Sequence, residues 1–216
     1  KVLELQNPVV MAKACKNRVE LNCSEQAHLH AAAALVRTLA QLEERMESSL
    51  PASEAWFAER LQKEYSSEAG YFDLSFPTIA GAGSNGAIVH YGTPSDEKML
   101  EPHEMLLVDS GIQYEGGTTD CTRTMSLGKP TSKQREHYTS VLQAHISLAK
   151  QVFPEGTHGV ALDSITRSGL WNAGLDYGHG TGHGVGAFLN VHEGPQRISP
   201  VSHDVALKPG MIISNE

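Results

Sequence analysis

Residues 105–125 read Met-Leu-Leu-Val-Asp-Ser-Gly-Ile-Gln-Tyr-Glu-Gly-Gly-Thr-Thr-Asp-Cys-Thr-Arg-Thr-Met, two strand-like runs separated by the turn formers of residues 115–117. This order predicts a β-hairpin closed by a glycine-containing loop. Across such a hairpin, Asp109 and Asp120 would lie opposite one another and point at one position. Two carboxylates at that separation repel and raise each other's pKa, and a bridging divalent cation removes the repulsion. The alternative is two exposed strand acids paired with Arg123 or with a lysine.

A second informative stretch is rich in glycine and histidine. Residues 178–186 read Gly-His-Gly-Thr-Gly-His-Gly-Val-Gly, and His192 follows six residues later. Glycine allows the backbone to approach a ligand closely, and imidazole is both a common metal ligand and a common general acid or base. The stretch therefore predicts a site containing His179, His183 and His192, as opposed to a flexible loop that happens to hold histidines.

Glu216 ends an apolar run of residues 211–216 that follows a Lys-Pro-Gly turn, much as Asp109 ends the run of residues 105–109. Considered without the other acidic residues, Glu216 would be interpreted as a solvated glutamate and not as a ligand. Together, Asp109, Asp120, His183 and Glu216 form an oxygen-rich set without cysteine, which suits Mn²⁺ or Mg²⁺ better than a structural Zn²⁺. Such a set can hold two ions about 3.5–4 Å apart around an activated water. The residues therefore point to hydrolysis.

These four residues resemble, in order, the metal ligands of the pita-bread metallopeptidases. Residues 73–79, 85–91, 174–179 and 188–195 also match that family, so the resemblance covers nearly the whole chain from about Asn7. Within the family, the chain is most similar to the Xaa-Pro aminopeptidases (aminopeptidase P) of the eukaryotic cytosolic type. The resemblance implies an α+β pita-bread (creatinase/aminopeptidase) fold, with two pseudo-symmetric halves, a curved antiparallel sheet and outer helices.

The resemblance also implies an activity and a role for each residue. The enzyme would hydrolyse the N-terminal Xaa-Pro peptide bond with a dinuclear metal-activated hydroxide. Its cofactors would be two divalent ions, Mn²⁺ first and Zn²⁺ or Co²⁺ as alternatives, held by Asp109, Asp120, His183 and Glu216. The implied catalytic residues are His192 and His90, and the implied substrate-binding residues are His90, His179 and His192. For His90 the alternative is a partly buried structural histidine.

One feature departs from the family. Its members carry a second metal-binding glutamate after the first, and this sequence ends at Glu216. We therefore expect residues 1–216 to be a pita-bread catalytic domain that is incomplete at its C-terminal end and lacks the N-terminal domains of a parent protein. A site without that glutamate would hold its second ion weakly or not at all. Cys121, where the family usually has Val or Ile, is interpreted as a packing residue and not as a ligand.

Two alternative functions remain open. A prolidase shares the ligands but cleaves Xaa-Pro dipeptides. A catalytically inactive pita-bread protein would serve as a peptide- or protein-binding module, but such proteins typically lose ligands. The expected partner is a peptide with proline at its second position, and the cytosolic relatives imply a homodimer.

Composition limits the remaining classes. The formal net charge is −8 without a block of basic residues, which argues against a nucleic-acid partner. No apolar run approaches the roughly 20 residues of a membrane helix. Three cysteines without a Cys-x-x-Cys spacing fit a reducing compartment, so we expect a cytoplasmic protein.

The order of elements is predicted to repeat as helix, helix, strands. Helices are expected from Ser24 to about residue 46, from Ser53 to 65, from Thr131 to 153 and over residues 162–172. Strands are expected over residues 74–79, 87–91, 105–109, 118–127, 184–191 and 211–216. Two halves that pack their sheets together would bring the acids of one half to the histidine and glutamate of the other.

Overall fold

Helices alternate with antiparallel strands along the chain, and the computed structural model describes residues 7–202 and 204–216. The first half contains α1 (Pro8–Ala14), α2 (Arg18–Glu47), α3 (Glu54–Ser66), β1 (Tyr71–Ala82), a 3₁₀ helix (Gly83–Ala87), β2 (Met105–Tyr114), β3 (Gly117–Thr118) and β4 (Cys121–Ser126). The second half contains α4 (Ser132–Ala149), α5 (Gly159–Asn172), β5 (Gly182–His183) and β6 (Arg197–Ile198). The predicted order of helix, helix, strands is found in α2 and α3 with β1–β4 and again in α4 and α5 with β5 and β6, whereas the short helix α1 was not predicted.

Capping side chains set the helix starts. Ser53 and Thr131 accept hydrogen bonds from the first turns of α3 and α4, as predicted. The predicted start of α2 at Ser24 is wrong, because Asn17 and Glu20 form a capping box about two turns earlier and Ser24 lies inside the helix.

Two further helix boundaries differ from the prediction. Helix α4 ends at Ala149 and not near residue 153, since Pro154 disfavours helical backbone at the residue before it. Helix α5 begins at Gly159 and not at residue 162. His158 precedes it without a side-chain cap, so the sequence carries no capping signal for that start.

The main sheet is antiparallel, with β2 between β1 and β4 and with β3 pairing the far end of β2. The predicted hairpin is confirmed: Tyr114 pairs with Gly117 across a tight turn in which Gly116 has a φ of 78°. Helices α2 and α3 cover one face of this sheet. Phe57 and Leu61 of α3 are fully buried there against Leu106 and Val108 of β2.

Three of the predicted strands are wrong. Residues 87–91 leave the 3₁₀ helix in a turn, and His90 has a φ of 57°. In residues 184–191 only Gly184 forms a bridge, to Ile213, and in residues 211–216 only Met211 and Ile213 form isolated bridges. The remaining predicted strands lie in β1, β2, and β3 with β4.

The second half packs on a smaller core, in which Leu148 of α4 and Leu162 of α5 contact Ile198 of β6. Over residues 7–202 and 204–216, no helix combines the length and the apolar character needed to cross a membrane.

A buried carboxylate on α3 holds the segment that follows β1. Glu54 is fully buried and accepts hydrogen bonds from the Ala82 amide (2.7 Å), the Asn85 side-chain nitrogen (3.0 Å) and the Tyr91 hydroxyl (2.8 Å). Since buried donors are costly to leave unpaired, this carboxylate fixes the path of residues 82–91 and thus the position of His90.

We expect Glu54→Ala to lower the free energy of unfolding by about 2–4 kcal/mol, because it leaves the buried Ala82 amide and two partly buried side-chain donors without this acceptor. Glu54→Gln keeps an acceptor for the Ala82 amide and should therefore lower the free energy of unfolding by less than Glu54→Ala does. Urea unfolding followed by circular dichroism measures both. Glu59→Ala, on the exposed side of the same helix, is the control and should change stability by less than about 0.5 kcal/mol. Equal stabilities of the Glu54→Ala and Glu59→Ala variants would contradict this account.

Candidate metal centre

Backbone pairing brings Glu216 next to His183. The Val185 amide donates to the Ile212 carbonyl (3.2 Å), Ser214 to His183 (2.9 Å), and Glu216 to Thr181 (2.9 Å). Residues 212–216 therefore run antiparallel to residues 181–185. The close approach requires glycine, since a Cβ at Gly182 would overlap the Ser214 carbonyl oxygen.

Two carboxylates converge on one imidazole nitrogen. Nε2 of His183 lies 3.0 Å from Oδ2 of Asp120 and 3.0 Å from Oε1 of Glu216. Nδ1 of His183 donates to the Gly184 carbonyl at 2.9 Å, so Nε2 carries the lone pair when the ring is neutral. Among the residues that the structure describes, Nε2 has no partner with hydrogen-bond geometry. Three electron-pair donors thus face one point.

The electrostatics favour a positive charge at this point. Burial opposes protonation of His183, but Asp120 and Glu216 outweigh it and raise the pKa of His183 to about 10. Burial raises the pKa of Glu216, but the close contact and charge of His183, together with the hydrogen bond donated by the Ser214 hydroxyl, hold it below its usual range. A divalent cation can supply the same charge, and ligand deprotonation then accompanies metal binding.

Asp109 lies near the same point, in the middle of β2. Its Oδ1 atom is buried and has no hydrogen-bond partner within the described part of the chain. Burial, together with the charges of Asp120 and Glu216, raises the pKa of Asp109 to about 6 against the opposing hydrogen bond with Thr122. A buried carboxylate oxygen without a donor is the kind of atom that a cation would satisfy.

The predicted register of the two aspartates is wrong. Asp109 pairs with Thr122 across the hairpin, and Ser110 pairs with Cys121. Asp120 lies in the break between β3 and β4, outside the regular ladder. The interruption at residues 119–120 therefore turns Asp120 towards the site, and cross-strand pairing does not. Cys121 contacts the main core, as expected for a packing residue.

His192 lies beside His183. Their ring centroids are 4.3 Å apart with the planes nearly perpendicular, and the His90 ring is 6.3 Å from that of His192. One ligand atom from each of Asp120, His183 and His192 lies within 4.8 Å of the others, so His192 is also placed to hold an ion. Partial burial, and next the charge of His183, lower the pKa of His192.

The loop before His192 is tied to the hairpin of the first half. The side chain of Gln113 donates to the Leu189 carbonyl (2.7 Å), and the Leu189 amide donates to the Thr118 hydroxyl (3.0 Å). These bonds connect the β2–β3 turn region to the histidine loop. The two halves of the chain therefore contact each other directly beside the site, as the sequence predicted.

His179 is exposed at the edge of the site. Its Nδ1 atom donates to the Gly180 carbonyl at 2.8 Å, which leaves Nε2 free for another partner. The sequence reasoning missed Arg167 and Asp163 on α5, which contact the loop carrying His179. Their spacing of four residues on one helix face was an available signal for an ion pair.

Comparison with known proteins places this geometry in a family. Residues 22–216 match the model of metallopeptidase family M24. Aminopeptidase P2 of Arabidopsis thaliana is 49% identical over 214 residues, which are 98% of this chain and 30% of that protein. A probable Xaa-Pro aminopeptidase P of Fusarium vanettenii is 47% identical over 219 residues, covering 99% of this chain and 35% of the relative.

Solved structures of related peptidases have the same fold as this chain. A structure of X-prolyl aminopeptidase from Caenorhabditis elegans, described as a cytosolic enzyme with a di-nuclear active site, aligns with a TM-score of 0.92 at 39% identity, over 96% of this chain and 34% of that one. Xaa-Pro dipeptidase from Bacillus anthracis aligns with a TM-score of 0.82 at 30% identity, over 95% and 54%. These alignments confirm the predicted α+β pita-bread fold.

The chain spans about a third of the length of the curated relatives it matches. The family model, in contrast, covers most of the chain, and it includes Asp109, Asp120, His183 and Glu216. The chain belongs to metallopeptidase family M24.

Proposed function

We propose that this protein is a metal-dependent aminopeptidase that hydrolyses the N-terminal Xaa-Pro peptide bond. The observation that carries the proposal is the convergence of Asp120 and Glu216 on Nε2 of His183, beside the Oδ1 atom of Asp109, which has no hydrogen-bond partner among the described residues. Aminopeptidase relatives at 47–49% identity support this specificity.

The proposed ligands are Asp109, Asp120, His183 and Glu216, and they would hold two divalent cations, preferably Mn²⁺ because the donors are mostly carboxylates. Bound cations of this kind polarise a carbonyl and acidify water for attack. The di-nuclear active site described for the C. elegans relative supports two ions.

The histidines would act on the peptide. His192 lies next to the metal side of the site, where it can donate a hydrogen bond to the oxygen on which negative charge develops. His90 lies on the far side of His192, and the two would share acid–base work and peptide binding. His179 would bind the peptide from the exposed edge.

A prolidase activity is the second candidate. It is supported by the 30% identity of this chain to an Xaa-Pro dipeptidase from Bacillus anthracis. A purely binding role is less well supported, since each of the four ligand positions is filled. We further propose a cytoplasmic homodimer, in line with the cytosolic C. elegans relative and with the family resemblance.

Substrate length separates the two enzyme candidates. The purified protein with Mn²⁺ should release the first residue of an Xaa-Pro-Xaa tripeptide, and an Xaa-Pro dipeptide should be a poor substrate. Liquid chromatography of the products measures both reactions. Faster cleavage of the dipeptide would replace the proposal with a prolidase, and no cleavage of either substrate by metal-loaded protein would favour the binding module.

Replacing Asp120 by Ala should abolish tripeptide cleavage, because it removes one of the two carboxylates at His183. The affinity for Mn²⁺, measured by calorimetry, should fall by more than the roughly 10–100-fold that loss of a ligand's outer partner costs. Glu115→Ala, an exposed acid at the tip of the same hairpin, is the control and should leave both quantities unchanged. Undiminished turnover by the Asp120→Ala variant would contradict the assignment.

His192→Ala distinguishes a helper from a ligand. As a proton donor to the reacting peptide, His192 should contribute about 10²–10⁴-fold to kcat, and the variant should bind Mn²⁺ as tightly as the wild type. Calorimetry and single-substrate kinetics on the same samples give the two values. If Mn²⁺ affinity falls together with kcat, His192 is a ligand alongside Asp120 and His183, whose ligand atoms lie within 4.8 Å of its own.

A further inference from the structure

A buried guanidinium on α5 is directed at the loop that carries His179. Arg167 is only 4% exposed, and its Nε donates to Oδ2 of Asp163 at 2.9 Å. Nη1 donates to Oδ1 of Asp176 (2.8 Å) and to the Tyr177 carbonyl (2.7 Å), and Nη2 donates to the His179 carbonyl (2.5 Å). All three nitrogens are thus engaged, and most of the contacts are with residues 176–179.

Ring contacts extend this arrangement to the imidazole itself. The guanidinium carbon of Arg167 lies 3.8 Å from the centre of the Tyr177 ring, and the Tyr177 and His179 ring centroids are 4.8 Å apart. Nδ1 of His179 is bonded to the Gly180 carbonyl. The backbone and the ring of His179 are therefore both fixed through contacts that lead to Arg167.

Asp163 anchors the other end of the same loop. Its Oδ1 atom accepts a hydrogen bond from the Thr181 hydroxyl at 2.6 Å, and the Tyr177 hydroxyl donates to Thr181 at 2.5 Å. Asp163 is 1% exposed and Thr181 is fully buried. The chain from Arg167 through Asp163 to Thr181 closes a ring of contacts around residues 177–181, and polarisation strengthens such rings.

Helix stability does not explain a buried arginine at this position. Burial of an ion pair costs desolvation that the mutual attraction only roughly repays, so an apolar side chain would serve a helix that merely packs. The planar fork, in contrast, matches several fixed acceptors at once, which neither an apolar side chain nor a lysine can do. What these contacts achieve, and an apolar side chain would not, is to hold His179 in one orientation.

We propose that Arg167 is a positioning residue that orients His179 towards the peptide bound at the metal centre, with Asp163 holding Arg167 in place. That a peptide binds at the metal centre rests on the proposed function. The orientation of the loop rests only on the contacts of Arg167, Tyr177 and Asp163 with one another and with His179 and Thr181.

The test uses Arg167→Lys, which keeps a positive charge beside buried Asp163 but loses the fork to the loop carbonyls. Hydrogen exchange of the amides in residues 176–181 should become faster, and exchange in the β2–β4 pair should stay as in the wild type. The kcat/KM for an Xaa-Pro-Xaa tripeptide should fall by about 10–100-fold, mainly through KM, because a misplaced binding group costs about that much. The affinity for Mn²⁺ should not change.

A double-mutant comparison isolates the route through His179. In a His179→Ala background, Arg167→Lys should change kcat/KM by a factor of about 2 or less, since the group that it positions is gone. Leu162→Ala, a core truncation on the same helix, is the matched control. It should lower the melting temperature without raising KM.

Three results would overturn the proposal. The first is a full additional loss of kcat/KM on adding Arg167→Lys to His179→Ala. The second is unchanged exchange in residues 176–181, and the third is an equal rise in KM in the Leu162→Ala control. If the wild type fails to cleave Xaa-Pro peptides, the proposed function fails, and the exchange measurement still decides whether Arg167 orders the loop.

Discussion

The placement of two carboxylates at one imidazole nitrogen is the constraint on which the rest of the architecture depends. Asp120 and Glu216 lie at 3.0 Å from Nε2 of His183, and beside them the Oδ1 atom of a third acid, Asp109, is buried without a donor from the residues that the structure describes. Such a concentration of negative charge is unfavourable unless positive charge is present. The pairing of residues 181–185 with 212–216, and the break after β3, both serve to hold these groups at that distance against their repulsion.

The sequence predicted the elements whose signals are local. The hairpin of residues 105–125 is recognisable because its turn formers and apolar runs are contiguous, and the caps Ser53 and Thr131 act within one turn of themselves. The short strands were mispredicted because their pairing is set by distant backbone. Gly184 bridges Ile213 and the Ser214 amide bonds to the His183 carbonyl, contacts that no window of neighbouring residues contains.

The candidate site was predictable in residue type and not in geometry. Asp109, Asp120, His183 and Glu216 stand out as acids and a histidine at the ends of apolar or glycine-rich runs. Their arrangement was not available from spacing, since Asp120 reaches the site by leaving the ladder that would have placed it opposite Asp109. A single irregular pair of residues decides that geometry, and periodicity cannot detect it.

The proposed metal ligands and the proposed peptide-binding histidines are held in place by different means. Backbone pairing fixes His183 and Glu216, so their positions follow from the fold itself. His90 and His179 lie on turns outside the ladders, and each turn is held by a buried charged side chain from an outer helix, Glu54 for residues 82–91 and Arg167 for residues 176–181. Because turns vary more readily than sheets, the same metal centre can be combined with differently placed histidines. With the peptide-binding roles proposed for these histidines, the outer helices would take part in setting which peptides fit.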